Sequence, residues 1–173
     1  MELKTILKLF FIFTIITGIN SCKQKTENEI EVVEKVKKIG VFNFDNKQEL
    51  SEYSKLNLDE THPNLLNPQI SKSDYNSVMK SWTDLHQSIG KYLSENEFKW
   101  EVKDSSITIV QKIYFNTNGE IENYFFNVLN KNVTKEKQEQ FANLISSFAK
   151  GNKIQFKKDE KFAQCGKTKY LNK

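Results

Sequence analysis

Residues 107–129 read ITIVQKIYFNTNGEIENYFFNVL, two runs rich in β-branched and aromatic side chains on either side of Asn118-Gly119. Strand-forming composition on both arms, with a dipeptide between them that accepts positive φ, predicts a β-hairpin closed by a tight primed turn. Alternation along the first strand puts Ile107, Ile109, Ile113 and Phe115 on one face and Val110 and Tyr114 on the other. In the second arm Ile121 and Phe125 share a face, and Tyr124, Phe126 and Val128 take the opposite one. A hairpin with apolar residues on both faces is not stable alone in water, so other elements must cover it.

The covering elements are legible on both sides. Tyr75, Val78, Trp82, Leu85, Ile89 and Tyr92 recur at helical spacing, with Ser71 or Ser73 available as N-cap and an end near Asn96. Phe98, Trp100 and Val102 alternate with Lys99 and Glu101, the pattern of a half-buried strand, and 104–106 turn into the hairpin. After the hairpin, Thr134 is suited to cap a helix through Lys150 whose stripe is Phe141, Leu144, Ile145 and Phe148, with Gly151 as a C-cap glycine. Ile154 and Phe156 open a last strand, and a run through Phe162 and Cys165 continues it or folds back, with Gly166 as a break. The fold class expected is α+β: an antiparallel sheet of 4–5 strands with two helices packed on it, in the order α-β-β-β-α-β.

Upstream the composition divides the chain. Lys4 and Lys8 precede an apolar run over 9–19, shorter than the roughly 20 residues a membrane span needs, so 1–21 reads as a signal peptide. Residues 22–40 read as a polar tether. Thr26 and Glu29 have capping-box spacing and Glu31–Lys35 and Glu34–Lys38 are i, i+4 pairs, so part of it could be helical. As a coil, 23–38 would span roughly 20 to 24 Å. Residues 41–68 form an extension with a brief strand at Val41, Phe42 and Phe44, a short helix on Leu50, Tyr53 and Leu56, and a loop holding both prolines; 69–173 is the α+β domain.

Charge and cysteine content narrow the chemistry. The net charge of +4 comes from Lys alone, because the chain has no Arg. Bidentate recognition of phosphate or guanine leans on the Arg fork, which disfavours nucleic acid as a partner. Eight Lys fall within 150–173, a basic edge that is solvated or meets acidic headgroups. With two His and two Cys, and no HExxH, Cys-x-x-Cys, phosphate loop or Gly-x-Ser-x-Gly, no catalytic, cofactor-binding or metal site is expected. His62 lies in the proline-flanked loop and His86 beside the apolar stripe of the long helix. Glu120 and Glu122 alternate with apolar residues and are expected to face solvent. Cys165 is expected to be buried and inert; the alternative is a small envelope enzyme using the Cys165 thiol, or a hydrolase-type site, with a His or carboxylate in reach.

Ser21-Cys22, at the end of the apolar run, resembles the lipobox of bacterial lipoproteins. That resemblance implies lipidation of Cys22, an anchor in the cell envelope and, since Lys23 rather than Asp follows, an outer-membrane position facing the periplasm. Several acyl chains would hold it firmly, at about 0.8 kcal/mol per buried CH₂. Residues 107–173 also resemble, in pattern, the C-terminal domain of TonB and its relatives: a strand ending at Phe115, the Asn-Gly turn, Ile121, the helix over 134–150 and a closing strand. A membrane-spanning N-terminal helix and a proline-rich spacer are lacking, so a force-transmitting role is not implied. The function expected is a non-catalytic binding or assembly module with a protein partner, working through a sheet edge or the aromatic sheet face.

Overall fold

The hairpin forms the middle of a sheet. In the computed structural model, which describes residues 39–65 and 74–172, strands β2 (Ser106–Phe115) and β3 (Ile121–Val128) pair antiparallel from Ile109↔Val128 to Phe115↔Ile121. The expected signal peptide 1–21, Cys22, nearly all of the expected tether and the candidate caps Ser71 and Ser73 lie outside the described residues.

The turn differs from the primed two-residue form. Gly119 N–H donates to the Asn116 carbonyl at 3.0 Å and Asn116 N–H to the Glu120 carbonyl at 3.0 Å, leaving a three-residue loop. Only Gly119 takes positive φ there, at 81°, as the last residue of a type I turn with a bulge requires. The Asn116 side chain organises the loop by accepting from Asn118 N–H and Glu120 N–H. A second irregularity, between Tyr114 and Phe115, lets the partner strand skip a residue. Ile121 therefore lies across from Phe115 and joins Tyr124, Phe126 and Val128 in the core, while Phe125 faces away; the expected grouping of Ile121 with Phe125 fails at this bulge.

The sheet is mixed, with four strands in the order β1-β3-β2-β4. β1 (Gly40–Asn43) runs parallel to β3, and β4 (Phe162–Leu171) antiparallel to β2 from Phe115↔Phe162 to Ser106↔Leu171. The expected all-antiparallel sheet is thus corrected at β1. Residues 40–55 supply this strand and helix α1 (Lys47–Lys55), and Lys37–Lys173 form one compact unit. Helices α2 (Tyr75–Glu95) and α3 (Lys135–Ala149) bring the described α-helices to three, and the order is β-α-α-β-β-α-β. Two expected strands are absent from the described residues. Around Phe98 and Trp100 the chain turns through positive φ at Glu97 (53°) and Glu101 (56°), so the alternation reflects rings packed on Phe141 and not a pleat. Ile154 is held by its N–H to the Gly119 carbonyl at 2.9 Å, and the last strand begins only at Phe162 and runs straight through Gly166.

Both faces are covered, for reasons the side chains make plain. On one, α2 buries Val78, Trp82, Leu85, Ile89 and Leu93, and α3, capped by the Thr134 side chain, buries Phe141, Ile145 and Phe148; against them lie Ile107, Ile109, Ile113, Tyr124 and Phe126, all 0 % exposed. Full burial of each such side chain is worth about 1.5–3 kcal/mol. Asp74, not a serine, occupies the cap position of α2, and Gly151 after α3 is not in the left-handed region. On the opposite face, Asn46 caps α1 by accepting from Gln48 N–H and Glu49 N–H, and the helix stacks Tyr53 on Phe125 with centroids 4.2 Å apart. Among the described residues no helix is long and apolar enough to cross a membrane.

Candidate functional site

β1 and β4 are the two edge strands of the sheet, and the first half of β4 is already engaged. Ala163 N–H donates to the Pro63 carbonyl at 3.0 Å and Leu65 N–H to the Ala163 carbonyl at 2.8 Å. The next outward donor, Cys165 N–H, goes to the Asn64 side chain at 2.9 Å instead of a backbone carbonyl, which ends the parallel pairing. Outward and inward groups alternate along an antiparallel strand, so Lys167, Lys169 and Leu171 turn their N–H and C=O outward. Asn172 N–H, which turns inward to the Ser105 carbonyl at 3.0 Å, agrees with that phase. Among the described residues nothing pairs with the edge over 167–171.

Beside this edge lies a groove of about 1350 Å³, walled by α2 and the 97–100 segment and lined by Met79, Trp82, Leu93, Phe98 and Trp100. Gly166 brings the wall close: a Cβ there would stand 2.9 Å from the Trp82 indole nitrogen. Three lysines border the groove without a carboxylate partner among the described residues, Lys99, Lys167 and Lys169, whereas Lys91 is 3.6 Å from Glu95.

Beneath the groove is a polar ring that the hydrophobic pattern did not announce. Tyr124 donates to Gln111 Oε1, so Gln111 can only donate to His86, from 3.1 Å to Nε2, and to Thr168 Oγ1 at 2.7 Å. His86 Nε2 therefore accepts, and Nδ1 carries the proton toward Tyr170 Oη at 2.7 Å; the tautomer is assigned by the network. Burial lowers the His86 pKa to about 3 and pushes those of Tyr124 and Tyr170 up. Every member stays neutral near pH 7, and both nitrogens of His86 are engaged. The ring supports the groove floor; it offers no free base.

The remaining sequence-singled residues fall on the other face. His62, 3 % exposed, bonds Glu122 Oε2 at 3.2 Å and the Leu58 carbonyl at 3.1 Å. Glu122, expected in solvent, has a side chain only 11 % exposed and also receives Lys161 at 2.9 Å; Glu120 is exposed as expected. Nearby, burial works against ionisation of Asp59, but hydrogen bonds from Lys112 and Tyr114 and the charges of Lys112 and His62 outweigh it and hold the carboxyl below its usual range. Tyr114, pushed up mainly by burial, also bonds Tyr53.

Cys165 is exposed, not buried as expected. It lies opposite Lys112 in the register, whereas its neighbour Gln164 lies opposite Ile113. Its side chain therefore shares the Lys112 face and His86 sits under α2 on the reverse one. Among the described residues the thiol hydrogen-bonds no His or carboxylate, and no group of three His, Cys, Asp or Glu is placed to hold a metal ion. Ellman's reagent is expected to label Cys165 fully in the native protein without denaturant; protection until unfolding would contradict this placement.

The residues that define the edge were legible only in hindsight. Cys165, Lys167, Lys169 and Leu171 at every second position, with Lys at the centre, form the pattern of an edge strand's solvent face, although by composition alone these lysines belong to the basic stretch 150–173. Asn64 carried no signal. Comparison with protein families, with curated proteins and with solved structures finds no match for this chain.

Proposed function

We propose that the chain is a lipid-anchored binding module of the bacterial cell envelope, held through Cys22 at the outer membrane and facing the periplasm, that captures a partner polypeptide by adding a strand to β4. The observation that carries this reading is the outward-facing backbone of 167–171 opening on the groove. Strand addition supplies affinity through main-chain hydrogen bonds, and neighbouring pockets supply selectivity. An anchor suits such a module, since confinement to one surface raises the effective concentration of any partner held there.

Two substitutions test the two halves separately. Cys22→Ala is expected to abolish palmitate incorporation and release the protein from the membrane fraction; unchanged partition would sink the anchor. Lys169→Pro removes one outward N–H while sparing the ladder to β2. A photo-crosslinker placed at Leu171, 74 % exposed, is expected to give a defined adduct in intact envelopes that Lys169→Pro eliminates. An adduct indifferent to the proline would exclude strand addition.

A further inference from the structure

Resting on that reading, we infer that the polypeptide captured at β4 is acidic and alternating, with carboxylates at every second position and apolar side chains between them. A strand added to the edge shares the faces of β4, because side chains of paired strands point the same way at opposed positions. Across from Lys167 and Lys169 its side chains meet two exposed ammonium groups with no carboxylate partner among the described residues. Its alternate side chains turn toward α2 and enter the groove at Met79, Trp82 and Trp100. Lys99 borders the same groove, while Glu95 is tied to Lys91, leaving Glu97 at the turn after α2 as the opposing charge.

The same lysines disfavour a second copy of this chain. Antiparallel self-pairing would bring Lys167 and Lys169 of one protomer against those of another, and like charges directly opposed on strands are destabilising. Lysine on an edge is a common guard against self-association. Such a guard admits a strand of opposite charge, which separates partner capture from oligomerisation. The stretch 167–171, unpaired on its outer side among the described residues, limits the strand to about that length before Asn64 blocks one end.

The test uses the full lipidated chain in detergent micelles and fluorescent peptides of about seven residues, a length typical of a strand. One alternates Glu and Val, one alternates Lys and Val, and one carries the Glu and Val in separate blocks. Anisotropy is expected to show the alternating acidic peptide binding best, with about tenfold loss in the Lys167→Glu, Lys169→Glu double variant and a reversed preference for the basic peptide. If the acidic and basic peptides bind equally and Lys169→Pro blocks both, the charge inference is overturned while edge capture stands. If neither alternating peptide binds, or if acidic peptide N-methylated at alternate amides binds undiminished, edge capture itself fails. Concentration-dependent dimerisation abolished by Lys169→Pro would assign the edge to a second copy and overturn the inference.

Discussion

Replacing Gly119 with alanine is expected to cost the fold about 3 kcal/mol, from two effects that add: strain at a left-handed residue and overpacking against fixed backbone. The φ of 81° is disfavoured for a residue with a Cβ. An added Cβ would also lie 2.4 Å from the Ile154 carbonyl oxygen and 3.0 Å from that of Phe156. These backbone atoms cannot retreat cheaply, because Ile154 is 1 % exposed and donates its N–H to the Gly119 carbonyl at 2.9 Å. Gly119→Asn separates the effects: Asn tolerates the dihedral but not the contact, so it should recover little. Asn118→Ala, at a position without positive φ, should cost well under about 1 kcal/mol. Urea denaturation reads all three, and a Gly119→Ala midpoint equal to wild type would refute the argument.

That glycine shows how far sequence reasoning reached. Asn118-Gly119 correctly marked the reversal, because turn composition is a local property, but the choice between a primed turn and a bulged loop was made by the segment that returns after α3. The same division runs through the molecule. The stripes of α2 and α3 are intrinsic to their spacing, and Val78, Trp82, Leu85, Ile89, Phe141, Ile145 and Phe148 are buried as expected, whereas Tyr75, in the first turn of α2, is 56 % exposed. β1 was legible as a strand-like cluster at Val41, Phe42 and Phe44, yet nothing local states that Asn43 will lie beside Phe126 with the strands parallel. Phe98, Trp100 and Val102 alternate in burial without forming a strand, since Glu97 and Glu101 adopt a conformation that glutamate does not advertise. Of the site, the lysine alternation was present in the sequence but Asn64, which decides where pairing stops, became meaningful only in three dimensions.

Acid is expected to weaken the protein through His86. Burial holds its folded pKa near 3 against 6.5 for a histidine in water, so the unfolded chain takes up a proton that the folded chain refuses. Stability from this group is complete above about pH 6.5 and declines as pH falls toward 3, by up to about 1.4 kcal/mol per unit, or about 3 kcal/mol by pH 4. Tyr124 and Tyr170, the titratable neighbours in the ring, keep their protons throughout and supply no countercharge. His86→Gln retains hydrogen-bonding capacity without the titration. It should be less stable than wild type at pH 7, because the ring around Tyr170 is refitted, and should close that gap as pH falls to 4. A variant that keeps the wild-type slope over this interval would place the acid sensitivity elsewhere.

The strand order also bears on how the chain reaches its folded state. β2 and β3 are joined by a short loop and can meet early, whereas β1 must find β3 across most of the domain and β4 must return past the whole of α3 to reach β2. Closing such long loops is entropically costly before contacts repay it, so the central hairpin is expected to form first and both outer strands to dock late. Until they do, both edges of an aromatic-rich hairpin are open to intermolecular pairing. β4, the last strand made, both completes the sheet and replaces the aggregation-prone edge of β2 with one guarded by lysine.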